Sequence, residues 1–195
     1  LNSARERQYG KIQAEIDAFH VARYKWASAR VRGQRVLDCA CGVGYGSKLL
    51  TEEHEGLSVV GWDISADAIE WANRYFHCSR TTYGVRDMLR LGLPNDSTFS
   101  TIVSLESLEH VVSPAIVLVG FARMLADGGN LLVSLPVFPT VQVNRFHKFE
   151  VQNAEQAGEY FRSCGFKVVE TEVQHLKSGP FGLFNLEPNV QAEIY

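Results

Sequence analysis

Apolar residues recur along this chain in two alternating rhythms. Ile12, Ile16, Phe19, Ala22, Tyr24 and Trp26 are spaced among polar neighbours as on one or two amphipathic helices. The rhythm then shortens. Arg35-Val36-Leu37-Asp38-Cys39-Ala40 reads as a strand running into Gly42, Gly44 and Gly46, with a helix from about Gly46 to His54. Leu57 to Asp63 is a second strand, and Ser65 is a suitable N-cap for a helix carrying Ile69, Ala72, Tyr75 and Phe76. Further strands are predicted at Thr81–Gly84, Phe99–Leu105, Leu131–Leu135 and Phe166–Val173, with a seventh over Asn189–Tyr195. One helix should start at Ser113-Pro114, capped by the serine hydroxyl, and end at Gly128-Gly129; another spans 153–164.

Strands alternating with helices imply βαβ crossovers and a mostly parallel sheet with helices on both faces. Ligands of such sheets sit beyond the carboxyl ends of the strands. The 195 residues suit a single domain. We divide it into an N-terminal helical cap (1–32), a cofactor-binding core (33–136) and an acceptor-side segment with the terminal strands (137–195).

Composition removes other classes. With 19 Lys+Arg against 22 Asp+Glu, the net charge of −3 gives no broad cationic track for nucleic acid. Cys39, Cys41, Cys78 and Cys164 lack zinc or redox spacing and read as reduced core thiols. No apolar run reaches the roughly 20 residues of a membrane span, and no signal-peptide pattern opens the chain, so a cytoplasmic location is expected. The arginines Arg30, Arg32 and Arg35 read as a solvated cluster; His54, His77 and His175 read as surface residues and His20 as a packing or capping one.

The chemistry concentrates in Asp38-Cys39-Ala40-Cys41-Gly42-Val43-Gly44-Tyr45-Gly46, between the first strand and its helix. A triphosphate loop would close in Lys-Ser/Thr, whereas Ser47-Lys48 stands here in the reverse order. A dinucleotide loop would place glycine where Ser47 stands. S-adenosylmethionine carries no phosphate and needs the loop only to fit a ribose and a zwitterion. Asp63 at the tip of the second strand is placed to accept both ribose hydroxyls. Asp87 could accept from the adenine amino group, with Met88 against the ring. Asp38 lies beneath the loop, where it could hold the loop or, through water, the ligand ammonium.

Four motifs in register carry a family resemblance: Val36 to Gly46, Gly61-Trp62-Asp63-Ile64-Ser65, Leu105-Glu106-Ser107-Leu108-Glu109-His110-Val111, and Gly128 to Pro136. Together they resemble the class I S-adenosylmethionine-dependent methyltransferases, near the group that includes the ubiquinone-biosynthesis enzymes. The flanks Phe19 to Tyr24 and Asn144 to Phe149 are similar to bacterial methyltransferases of surface polysaccharides and sugars. The resemblance implies a Rossmann-like, doubly wound, seven-stranded α/β sheet whose last strand is antiparallel. It implies S-adenosyl-L-methionine as cofactor, leaving as S-adenosyl-L-homocysteine. The implied cofactor residues are Tyr9, Arg23, Asp38, Cys41, Gly42, Gly44, Asp63, Ile64, Asp87, Met88 and Leu105, with Tyr9 and Arg23 closing from the N-terminal helices.

Methyl transfer needs a base only when the acceptor carries a proton, and histidine is suited to that role near neutral pH. His110 after the fourth strand and His147 after the fifth are the candidates, with Glu106 and Glu109 nearby. Glu109 and His110 could equally serve only to fix their loop. No ligand spacing points to a metal. About seventeen residues separate Pro136 from Asn153, leaving room for only a small substrate cap. The expected acceptor is a sugar or surface-glycan precursor. An aromatic, quinone-like or amine acceptor is the alternative, as is a non-catalytic cofactor-binding partner subunit. Nucleic acid is disfavoured as a partner, and a homodimer is left open.

Overall fold

A computed structural model describes residues 18–91, 99–138, 146–176 and 179–189. In chain order the elements are α1 (Ala18–Ser28), β1 (Arg35–Cys39), α2 (Tyr45–Glu53), β2 (Ser58–Asp63), α3 (Ala66–Tyr75), β3 (Thr81–Val85), β4 (Phe99–Leu105), α4 (Pro114–Met124), β5 (Leu125–Pro136), α5 (Ala154–Ser163), β6 (Phe166–Leu176) and β7 (Gly179–Pro188). Short 3-10 turns at Met88–Arg90 and Leu108–His110 follow β3 and β4. The strands form one sheet in the order β3-β2-β1-β4-β5-β7-β6. β1 to β5 pair in parallel, while β7 runs antiparallel to both β5 and β6.

Neighbouring residues on a strand point to opposite faces, and both faces here are covered. Leu37, Ile102, Leu131, Val133, Phe184 and Leu186 meet Val117, Leu118 and Phe121 of α4 and Phe161 of α5. Val36, Val59, Val103, Leu132 and Leu183 face the other way, against Tyr24, Trp26 and Ala27 of α1 and Leu50 of α2. This double burial is why the strands read as near-continuous apolar runs. The order reverses between β1 and β4, so the loops leaving these two strands flank the crevice where such sheets bind ligands.

Three boundaries differ from the sequence expectation. The helix starting at Pro114 ends at Met124, and Leu125 already pairs with Phe99. The next pair is Thr101 with Asn130, so Gly128-Gly129 falls in an irregularity of β5 and terminates no helix. Gly128 adopts φ 72°, and a Cβ on Gly129 would meet the Ala126 and Ser100 carbonyl oxygens at 2.9 and 3.0 Å. Ser113 is the N-cap residue but its hydroxyl makes no capping bond; Pro114 alone carries the start signal. The seventh strand is Gly179–Pro188 and ends before Asn189; residues 190–195 lie outside the described part.

Arg30 corrects another expectation. Its guanidinium bonds the Glu170 carboxylate (2.6 and 2.7 Å), pairs with Glu172 (2.5 Å) and lies over the Trp26 ring, tying the end of α1 to β6. Arg32 likewise pairs with Glu187 at 2.7 Å. His54, half-buried at the surface, is also tied down: its Nε2 meets the Ser28 hydroxyl and carbonyl at 3.0 and 2.8 Å. Among the described residues all four cysteines are free thiols, and no helix is long and apolar enough to cross a membrane.

Candidate active site

The β1–α2 loop is built around Asp38 and Asp63, each at or near the carboxyl end of its strand. Asp38 is fully buried. It accepts from the Ser47 hydroxyl at 2.6 Å and from the Tyr24 hydroxyl at 3.1 Å, joining the loop to α2 and α1. Burial pushes its carboxyl up to about 7, against the lowering effect of the two hydroxyls. Gly46 makes this approach feasible, because a Cβ there would fall 2.0 Å from the Tyr24 ring.

Asp63 accepts from the Gly42 amide at 3.0 Å through one oxygen and from the Ser65 amide at 2.8 Å through the other. Gly44, with φ 88°, packs so closely that a Cβ would meet Ala72 and Tyr83 within 2.9 Å. Gly42, with φ 55°, differs: among the described residues a Cβ there would meet nothing within 4 Å, so this part of the loop borders open space. Cys41 turns away from that space and is buried with Ile69, Ala72 and Tyr83. Two non-glycine residues also have positive φ, Ala40 at 65° after β1 and Glu106 at 49° after β4. Sparsely populated backbone of this kind gathers where a site is shaped.

Around this loop, Ile64 is 59% exposed beside Asp63. Asp87 caps the turn after β3 through the Leu89 amide at 2.9 Å, and Met88 and Leu105 pack partly into the two cores. The structure thus gathers Asp38, Gly42, Gly44, Asp63, Ile64, Asp87, Met88 and Leu105 along one edge of the sheet. Tyr9 lies outside the described residues. Arg23 departs from expectation: only 1% exposed, it forms an ion pair with Glu106 and stacks over Phe181 at 4.3 Å. His20 also reaches Glu106, with Nε2 at 3.2 Å. The N-terminal helix is therefore fastened to the β4 loop.

Beyond Glu106 the β4 turn presents Glu109 and His110, and the segment after β5 brings His147 to them. The two imidazole rings lie 5.2 Å apart at 68°. Glu109 is 2% exposed, and burial pushes its carboxyl up to about 8. Burial and the neighbouring His110 both push His147 below its usual value. One donor atom from each of the three residues lies within 4.8 Å of the others. The sequence gives no metal-ligand spacing because His147 is far downstream of the pair; only the β4–β5 pairing brings them together.

Comparison with known proteins identifies the family and the fold. A profile described as Methyltransferase domain matches residues 5–171. A phosphoethanolamine N-methyltransferase of Triticum aestivum is 28% identical over 150 residues, covering 72% of this chain and 29% of that protein. A ubiquinone biosynthesis O-methyltransferase of Xanthomonas oryzae pv. oryzae (strain PXO99A) is 29% identical over 126 residues, covering 63% and 52%. This chain therefore spans under a third of the wheat relative and about half of the bacterial one. The solved DhpI–SAH complex superposes with a TM-score of 0.74 at 18% identity, covering 97% of this chain and 93% of that one, a likeness of fold. With most of its length matched, and with the seven-stranded sheet on which such domains are built, this chain belongs to the Methyltransferase domain family.

Proposed function

We propose that this chain binds S-adenosylmethionine in the β1–α2 crevice and transfers its methyl group to an oxygen acceptor, a sugar hydroxyl or surface-glycan precursor. The cofactor, when bound, supplies a methyl group already activated on a sulfonium. The residues fit it. The space over Gly42 admits a ligand against the main chain. Asp63 accepts the Gly42 and Ser65 amides, one on each oxygen, which fixes its carboxylate beside the open side of the loop, the position this reading gives to the ribose. Exposed Ile64 offers an apolar surface beside it. Asp87 and Met88, in the turn after β3, take the adenine in this reading. Arg23 acts in this reading through Glu106, holding the β4 loop in shape.

The observation that carries the acceptor assignment is the pairing of His110 and His147 at 5.2 Å beside buried Glu109, on the same edge as Asp63. A hydroxyl acceptor must lose a proton, and groups able to manage that proton stand there. The relatives bear the names of both N- and O-methyltransferases, so likeness alone does not choose. Polar His20, Glu106, His110 and His147 border this part of the edge and favour a hydroxylated acceptor. Val112, 75% exposed, and exposed Ile116 lie two and six positions beyond His110 and support a second reading, a quinol-type acceptor.

The test is release of S-adenosylhomocysteine from the full chain given the cofactor and a panel of oligosaccharides, quinols and amines. Turnover with hydroxylated sugars is expected. Turnover confined to quinols moves the acceptor to the second reading. Cofactor binding without turnover on any member overturns the enzymatic reading in favour of a binding module.

A further inference from the structure

We propose that Glu109, His110 and His147 form a binding site for one divalent transition-metal ion, with zinc the ion that suits them best. Two imidazoles and one carboxylate are the donor set zinc accepts with a position left open, whereas calcium and magnesium favour oxygen-only surroundings. The donor atoms already lie within 4.8 Å of one another. Bonds of about 2.0–2.2 Å to a common ion require them to close by roughly an ångström, within reach of side-chain rotation.

Three further features point the same way. Glu109 is 98% buried by its 2% exposure, and its Oε2 has no hydrogen-bond partner among the described residues. A buried carboxyl oxygen left unmatched is costly, and a cation beside it removes that cost. Next, the two segments are fastened at this point. The Glu109 carbonyl accepts from the amides of Lys148 at 2.6 Å and Phe149 at 3.2 Å, which holds His147 across from His110. Last, the Phe146 carbonyl lies 3.3 Å from His110 Nδ1. A carbonyl can only accept, so Nδ1 donates, and in the neutral imidazole the other ring nitrogen carries the lone pair; outer-shell carbonyls orient metal-binding histidines in this way.

Three protein ligands leave at least one position, and exposed His110 places it toward solvent at the crevice edge. Resting on the methyltransferase reading above, that position takes the acceptor hydroxyl. The ion then withdraws charge from the oxygen, and the proton passes to water. The oxygen–methyl bond forms as the carbon–sulfur bond breaks.

The experiment uses the full chain stripped with a chelator and titrated with zinc by calorimetry, and with cobalt(II) followed by its visible absorption. One equivalent per chain is expected, with tetrahedral or five-coordinate cobalt bands. His110→Ala, His147→Ala and Glu109→Gln should each weaken zinc by about 100-fold or more, since loss of even an outer-shell partner costs 10–100-fold. His147→Gln serves as the milder change, with circular dichroism verifying the fold. No stoichiometric binding, or binding unaltered in these variants, overturns the site. Cofactor affinity measured on the same stripped protein separates the two proposals. Cofactor binding without zinc binding sinks the metal site alone; zinc binding without cofactor binding sinks the methyltransferase reading alone.

Discussion

The buried guanidinium of Arg23 on α1 is neutralised by the carboxylate of Glu106, a positive-φ residue just after β4, a contact spanning 83 positions of sequence. Removing one partner of such a pair strands the other charge, whereas removing both does not. Glu106→Gln should therefore lower unfolding free energy by about 1–3 kcal/mol, less than for a fully enclosed pair because Glu106 keeps contact with solvent. Arg23→Met combined with Glu106→Gln should recover part of that loss. Urea denaturation of the four proteins in a double-mutant cycle checks it; strictly additive losses would show that the two residues are not coupled.

Asp38 gives a pH dependence of definite sign. Its folded value of about 7 stands above the ordinary carboxyl value of 3.8, chiefly through burial. Between these values the native chain holds a proton that the unfolded chain has released, so stability falls as pH rises through the window. The full penalty, up to about 4 kcal/mol, is present above pH 7 and absent below about pH 4. Asp38→Asn removes it. Relative to the parent, the variant should gain stability from pH 4.5 to 7.5; parallel stability curves for the two would contradict the assignment.

Local chemistry made part of this molecule legible. β1, β2 and β4 lie within a residue or so of the runs Arg35–Ala40, Leu57–Asp63 and Phe99–Leu105 that the pattern marks as strands, and Ser65 caps α3 by bonding the Ala68 amide as its type suggests. β7 escaped because Pro180 and Pro188 bound it and Gly182 interrupts it, all of which read as loop. Its central position comes from β5 and β6 on either side, which no local pattern encodes. The same holds for the site. The glycine loop and Asp63 announce themselves, whereas the Arg23–Glu106 pair and the Glu109–His110–His147 cluster exist only once distant segments are folded together.

Gly46 and Gly42 should answer the same substitution differently. Gly46→Ala drives a methyl group into the Tyr24 ring, 2.0 Å away, and displaces the hydroxyl that bonds Asp38. The expected cost is at least about 1–3 kcal/mol of stability. Gly42→Ala meets no atom of the described residues and costs only what its φ of 55° imposes, about 1–2 kcal/mol. Its methyl group enters the space proposed for the cofactor, so cofactor affinity should fall further than stability. Thermal denaturation and calorimetry on both variants check this; equal profiles would remove the distinction between a packing glycine and a ligand-facing one.

Asp63→Ala removes the acceptors for the Gly42 and Ser65 amides together with those proposed for the ribose. Cofactor binding should weaken by about 1–3 kcal/mol, the cost of charged hydrogen bonds left unmade. Calorimetry showing unchanged affinity would contradict the role.

His147 separates work on the acceptor from work on the cofactor. Its imidazole faces His110, and burial with the neighbouring His110 lowers its proton affinity. At neutral pH it is therefore mostly the neutral base, able to take a proton or to donate a lone pair to a cation. Either role concerns the acceptor oxygen and leaves the cofactor cradle intact. His147→Ala should lower kcat by about 100-fold or more, the range usual for loss of a group that handles the reacting proton, with cofactor affinity changed less than about 3-fold. Steady-state kinetics beside cofactor calorimetry measure the two quantities on one preparation. A parallel fall in both would make His147 a strut of the β4–β5 edge, because a strut disturbs the cradle and the acceptor together.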